Sequence, residues 1–133
     1  MADSLHIPVL SDLDIVMARV EGRHMARDLG FGVIDQARIA TAISELSRNI
    51  VLYAGTGTIT LRPIETPQRR GLEIVCADTG PGITDVNLVM REGYSSRRGL
   101  GMGLPGTRRL MDEFEIRSRP GEGTVITARK WLR

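Results

Sequence analysis

The sequence predicts an α/β (α+β) fold, a two-layer sandwich with helices on one face of a mixed, mostly antiparallel sheet. Three observations lead there. A long apolar stripe at helical spacing fills the first half of the chain. The segments 57–64 and 71–78 are short, rich in β-branched residues and separated by a turn. A glycine-rich helix start followed by two more short strands ends the sequence. Strands joined by tight turns pair antiparallel, and helices kept apart from them cover one face of their sheet.

Taken in order, LHIPVL at 5–10 reads as an edge strand, where the N–H that Pro8 lacks is not needed. Ser11 and Asp14 resemble a capping box opening a helix that stops near Gly30, with Leu13, Val16, Met17 and Val20 on one face. From Ile34 to Tyr53, the residues Ile39, Ile43, Leu46, Ile50 and Tyr53 fall at spacings of 4, 3, 4 and 3, a single stripe that faces the core. GTITLRPI and GLEIVCAD form a hairpin about TPQRRG. Residues 84–98 carry a short helical turn and then a polar Gly-Ser-Arg stretch, expected as a mobile loop. A last helix starts inside GLGMGLPGTRRLMD, and EFEIRSR and TVITARKWL pair across the turn PGEG.

A length of 133 residues suits one core, so 1–133 reads as a single domain. The apolar fraction of 41% and charged fraction of 26% are those of a globular protein. No apolar stretch is long enough to cross a membrane and MADSLHIPVL lacks the order of a leader peptide, so the expected location is cytoplasmic, with no membrane partner. Cys76, inside LEIVCAD, reads as a buried structural thiol. With scattered arginines and only two Phe, two Tyr and one Trp to stack on bases, nucleic acid is not an expected partner. Lys130 is the sole lysine among 18 cationic residues, so any phosphate chemistry must lean on arginine, backbone N–H groups and metal.

Three constellations could carry chemistry. Glu45 and Asn49 lie four apart on the long helix, which stacks carboxylate and amide one turn apart, away from the apolar stripe. Taken alone, that is the pattern of any polar helix face. Asp78-Thr-Gly80-Pro-Gly82 follows an apolar strand; a carboxylate at a strand end accepts from an exocyclic amine, and glycines let backbone approach a flat ring. Ordinary turns also use these residues, though with fewer glycines. Gly99, Gly101, Gly103 and Gly106 open a helix, and N–H groups at a glycine-rich helix start suit phosphate.

Rival plans fail on context. Gly101-x-Gly103-x-x-Gly106 matches a dinucleotide fingerprint, but YSSRR precedes it instead of an apolar strand, and a turn follows where the acidic strand end should be. No glycine-rich stretch ends in Gly-Lys-Ser or Gly-Lys-Thr, and neither H-R-D nor D-F-G occurs.

E-x-x-x-N, D-x-G-x-G, G-x-G-x-G and P-G-x-G-T, in this order, resemble the GHKL ATPases, the family of gyrase, Hsp90, histidine kinases and MutL, with its Bergerat-type fold. The minimal domain is most similar to the free-standing serine kinases of bacterial sigma-factor control. DQARIATAISELSRNI and RRGLGMGLPGTRRLMDEF resemble the RsbT-type switch kinases of the stressosome.

The resemblance implies that Asp78 binds the adenine amino group, supported by Thr124, over a floor shaped by Gly80 and Gly82. It implies that Asn49 ligates Mg²⁺, that Glu45 orients or deprotonates the attacking hydroxyl, that Gly99, Gly101 and Gly103 donate to the phosphates of ATP, and that 84–98 is the ATP lid. Arg97 and Arg98 are candidate phosphate contacts, since a site without lysine needs some cation. Arg48 is a weaker candidate, and His6 and His24 are expected to be structural or exposed. The implied activity is phosphorylation of STAS-domain partners of the anti-anti-sigma or stressosome scaffold kind, with release to a PP2C-type phosphatase regulator. A nucleotide-gated anti-sigma factor that sequesters a sigma subunit is the alternative.

Overall fold

The computed structural model describes residues 4–83, 90 and 103–133. Strand β1 (Leu5–Val9) is followed by helices α1 (Asp12–Leu29) and α2 (Val33–Asn49) and a π-helical turn (Ile50–Ala54). Strands β2 (Gly57–Glu65) and β3 (Arg70–Asp78), helix α3 (Gly103–Leu110), and strands β4 (Glu113–Ser118) and β5 (Thr124–Trp131) complete the described elements. The strands form one five-stranded sheet in the order β1-β2-β3-β5-β4.

All four pairings are antiparallel, so the sheet is not mixed. The helix pair explains the first of them: α1 and α2 run opposite ways and return the chain to the end of the sheet it left, so β2 must enter against β1. Residues paired across strands share a face. Ile7, Val9, Ile59, Leu61, Leu72, Ile74, Cys76, Ile126 and Ala128 therefore form one buried surface, against which α1 and α2 place Ile15, Ala18, Ile39, Ile43 and Leu46. The expected two-layer sandwich results.

Two expected faces are turned. On α1, Leu13, Val16, Met17 and Val20 are 68%, 42%, 51% and 39% exposed, and the buried side is Ile15, Ala18, Gly22 and Ala26. A Cβ on Gly22 would overlap Ile43 Cδ1, so α1 seats its small residues on α2 and leaves its large ones outside. Tyr53 does not join the core stripe of α2. The helix widens after Asn49 into the π turn, closed by Gly55 N–H donating to Ile50 O at 2.8 Å, and the wider turn leaves Ile50 buried but Tyr53 47% exposed.

The α1 start is capped differently from a reciprocal box. Asp14 reaches past Ser11 to accept from Leu10 N–H at 2.9 Å, and Ser11 makes no side-chain bond to the helix backbone. Lys130, 5% exposed, donates from Nζ to Leu110 O at 2.8 Å and faces Asp35 and Asp112 at 3.7 and 3.8 Å. It thus ties the end of α3 and the start of α2 to β5. Cys76 is buried, and burial together with the nearby Asp78 pushes its thiol far above the ordinary range, which fits a structural role. No described helix is long and apolar enough to cross a membrane.

Because the α1 stripe faces outward, Leu13→Ser and Met17→Ser should each change the unfolding free energy by less than about 0.5 kcal/mol. Ile15→Ala on the inner face should lower it by roughly 2–4 kcal/mol. Urea unfolding followed by circular dichroism measures both, and a large loss at Leu13 or Met17 would mean the stripe is covered in solution.

Candidate nucleotide-binding site

The last row of the helix-covered sheet face carries the polar groups. Asp78 on β3 pairs with Thr124 on β5, and Thr124 with Ser118 on β4, so the three side chains leave the sheet in the same direction, two residues beyond buried Cys76. Asp78 Oδ1 accepts from Gly80 N–H at 2.9 Å, which bends the chain straight after the strand. Its Oδ2 has no hydrogen bond among the described residues.

The loop after Asp78 is held from two sides. A Cβ on Gly80 would lie 2.6 Å from Ala54 Cβ and 2.8 Å from Ala54 Cα, so this loop touches the π turn that continues α2 beyond Asn49. On the other side, Gly82 at φ +79° packs on the Arg119 carbonyl and Gly123 at φ +83° on the Asp78 carbonyl, each where a Cβ could not fit. Gly121 N–H donates to Pro81 O at 2.6 Å, and Ile83 N–H to Ser118 Oγ at 2.7 Å.

On α2, Glu45 is 13% exposed at its side chain and accepts from Arg48 Nη1 at 3.1 Å through Oε2. Arg48 is therefore a partner of the carboxylate, whatever it does for phosphate. The Asn49 amide, one turn on, has no hydrogen-bond partner among the described residues. Gly103 opens α3 at φ +70°, with its carbonyl accepting from Thr107 Oγ1 at 3.0 Å. Arg97, Arg98, Gly99, Gly101 and, Met90 apart, the expected lid at 84–98 lie outside the described residues. His6 bonds Thr60 Oγ1 at 3.0 Å and His24 is exposed, as expected of bystanders.

The structure thus brings Asp78, Gly80, Gly82 and Thr124 together at one sheet end and joins them to the Asn49 end of α2. Sequence reasoning missed Ser118, the Ala54 contact and the Glu45–Arg48 pair. Ser118 was out of reach of the sequence: PGEG taken as the turn pairs Thr124 with Arg119, whereas the loop is one residue longer and sets Ser118 opposite Thr124. A hollow of about 320 Å³ lined by Thr56, Gly57, Thr58, Ala77, Asp78 and Thr79 touches this end. Thr58 and Ala77 point to the uncovered face of the sheet, so it is not the space in front of Asp78 and Thr124.

Residues 34–133 match the family described as histidine kinase-, DNA gyrase B- and HSP90-like ATPase. The chain belongs to this ATPase family. It is 53% identical over 133 residues, all of both chains, to the serine/threonine-protein kinase RsbT of Bacillus subtilis (strain 168). It is 33% identical over 102 residues to the anti-sigma F factor of Caldanaerobacter subterraneus subsp. tengcongensis, covering 72% of this chain and 70% of that one. A solved structure of the RsbU and RsbW domains of a Mycobacterium tuberculosis protein has the same fold, with a TM-score of 0.68 at 19% identity; the match covers 99% of this chain and 34% of that longer one. The full-length match favours the kinase reading of the motifs over the anti-sigma alternative.

If the Gly80–Ala54 contact sets the distance between the Asp78 loop and α2, Gly80→Ala should weaken ATP binding at least about tenfold, the effect of roughly 1.4 kcal/mol of misplacement. Ala54→Gly in the same chain should recover part of it by removing the nearer clashing atom. Isothermal calorimetry reads both; wild-type affinity in Gly80→Ala would show that the contact does not shape the pocket.

Proposed function

We propose that this chain is a magnesium-ATP-dependent serine/threonine protein kinase of STAS-domain proteins, with a PP2C-type phosphatase regulator as its second partner. The observation that carries the reading is the junction of the Asp78–Thr124 row with the Asn49 end of α2 through Ala54 and Gly80. In this reading the end that would read the purine lies beside the end that would handle the phosphates. Full-length similarity to a serine/threonine-protein kinase supports the same reading.

In this reading Asp78 Oδ2, unbonded among the described residues, accepts a hydrogen from the exocyclic amine of adenine, and Gly80 and Gly82 let the ring lie against backbone. The residues fit magnesium as well as ATP. Asn49 offers a hard amide oxygen with no hydrogen-bond partner among the described residues, and no group of three His, Cys, Asp or Glu among those residues could hold a metal by itself. A cation held by one protein oxygen, with phosphate oxygens and water completing its shell, is what Mg²⁺ prefers. When bound, it neutralises charge on the phosphates. Gly103 N–H, with Gly99 and Gly101, would donate to the phosphates, and Arg97 and Arg98 would add positive charge.

Glu45 supplies the base. Arg48 occupies Oε2 and fixes the side chain, leaving Oε1 for the incoming hydroxyl. The hydroxyl oxygen of the substrate attacks the γ-phosphorus, the bond to the ADP oxygen breaks, and the hydroxyl proton passes to the Glu45 carboxylate. Anti-sigma F factors among the relatives sustain one other reading, in which the same pocket gates capture of a sigma subunit. Pull-down separates the two: a STAS scaffold or phosphatase regulator recovered with this chain supports the kinase, a sigma subunit the alternative.

The E-x-x-x-N pair gives the sharpest test. Asn49→Ala should lose the magnesium-dependent part of ATP affinity and, with it, phosphotransfer. Glu45→Ala should bind ATP nearly as wild type while transfer to a STAS protein falls about 10²- to 10⁴-fold. Radiolabelled transfer alongside calorimetry measures both. Wild-type transfer by Glu45→Ala would return Glu45 to an ordinary polar helix face.

A further inference from the structure

Three hydrogen bonds meet at Ser118 Oγ, and their proton count is decisive. Ile83 N–H lies 2.7 Å away and can only donate. The Gly123 carbonyl oxygen lies 2.9 Å away and can only accept, so it takes the single Ser118 hydroxyl hydrogen. Thr124 Oγ1, at 2.8 Å, could in principle play either part. With the Ser118 hydrogen already used, the Thr124 hydrogen must close the third contact. The opposite arrangement would leave Ser118 Oγ and the Gly123 oxygen 2.9 Å apart with no hydrogen between them. Ser118 then donates once and accepts twice, the full capacity of a hydroxyl.

A consequence follows for Thr124. Its only hydrogen points at β4, so toward the space it shares with Asp78 it presents lone pairs alone. Next to it in register, Asp78 offers a carboxylate oxygen, which also only accepts. Two acceptors side by side suit an exocyclic amine, which has two hydrogens to give. They oppose a ring carbonyl, which brings a third set of lone pairs into the same place.

We propose that Ser118 is a specificity-determining positioning residue: by taking the Thr124 hydrogen it makes the pocket an all-acceptor reader that selects 6-amino over 6-oxo purines. This rests on the assignment of the Asp78–Thr124 row to adenine. Ser118 acts through Thr124 and need not touch the nucleotide.

Inosine triphosphate is the direct probe, since it differs from ATP only in the 6-oxo group and its N1 hydrogen. Calorimetry with magnesium and each nucleotide should show wild type favouring ATP. Ser118→Ala frees the Thr124 hydroxyl to turn and donate to a 6-oxo group, so the ITP-to-ATP dissociation-constant ratio should fall by roughly tenfold, about the worth of one hydrogen bond. Ser118→Thr, which keeps the hydroxyl, should keep the ratio. Thr124→Val, isosteric and without either lone pairs or hydrogen, should narrow the ratio too, and it serves where Ser118→Ala does not fold. If Ser118 merely clamps Ile83, both nucleotides weaken alike and the ratio holds; an unchanged ratio in Ser118→Ala and in Thr124→Val overturns the proposal. Asp78→Asn in the same titration tests the underlying assignment: wild-type ATP affinity there sinks the adenine reading, whereas loss of ATP with unchanged ratios in the other two variants sinks only the role of Ser118.

Discussion

Backbone lies directly on backbone where the loop leaving β3 passes the β4–β5 turn. Gly123 sits over the Asp78 carbonyl and Gly82 over the Arg119 carbonyl, both at positive φ and both without room for a Cβ. Side chains can change rotamer to absorb a disturbance, but two main chains in contact have no such freedom. The position of the Asp78 carboxylate is therefore set by the path of two chain segments. The bonds from Gly121 N–H to Pro81 O and from Ile83 N–H to Ser118 Oγ hold the same contact from either side. Everything assigned to the nucleotide end depends on this junction.

The stiffer polar ties lie elsewhere. On the uncovered face of the sheet, Glu73 is 4% exposed and is held by Arg62 at 2.7 Å and Arg129 at 2.8 Å, so two guanidinium groups compensate one buried carboxylate. Glu113, bonded by Trp131 Nε1–H and by Arg129, has its carboxyl held below the usual carboxylate range. Lys130 secures α2 and α3 at the sheet end opposite Asp78. These networks fix how strands and helices sit, while the site end is left to loops and a single row of side chains. Such a division suits a pocket that must admit and release a ligand.

A pocket of this fold family does not by itself decide between transferring a phosphate and gating a partner, because function resides in the site and not in the fold. Glu45 and Asn49 stand one helical turn apart, with Glu45 bonded to Arg48 and the Asn49 amide without a hydrogen-bond partner among the described residues, but the distinction rests on the full-length match to a serine/threonine-protein kinase against the partial match to an anti-sigma F factor.

Hydrophobic period, turn residues and glycine spacing are local signals, and from them the order of elements, the antiparallel hairpins and the buried thiol were legible in the sequence; that Thr124 stands with Asp78, Gly80 and Gly82 came only from the family resemblance. Which face of α1 is buried emerged only on folding. The large side chains of Leu13 and Met17 carry the stronger hydrophobic signal, yet close helix packing requires the small ones of Ala18 and Gly22, and closeness is not written in hydrophobicity. Tyr53 was misread for a related reason, since a π turn shifts the helical period without any distinctive residue to announce it. The Ala54–Gly80 contact, the Glu45–Arg48 pairing and the direction of the Thr124 hydrogen were also beyond the sequence. Each depends on distances of a few tenths of an ångström between segments that only folding brings together.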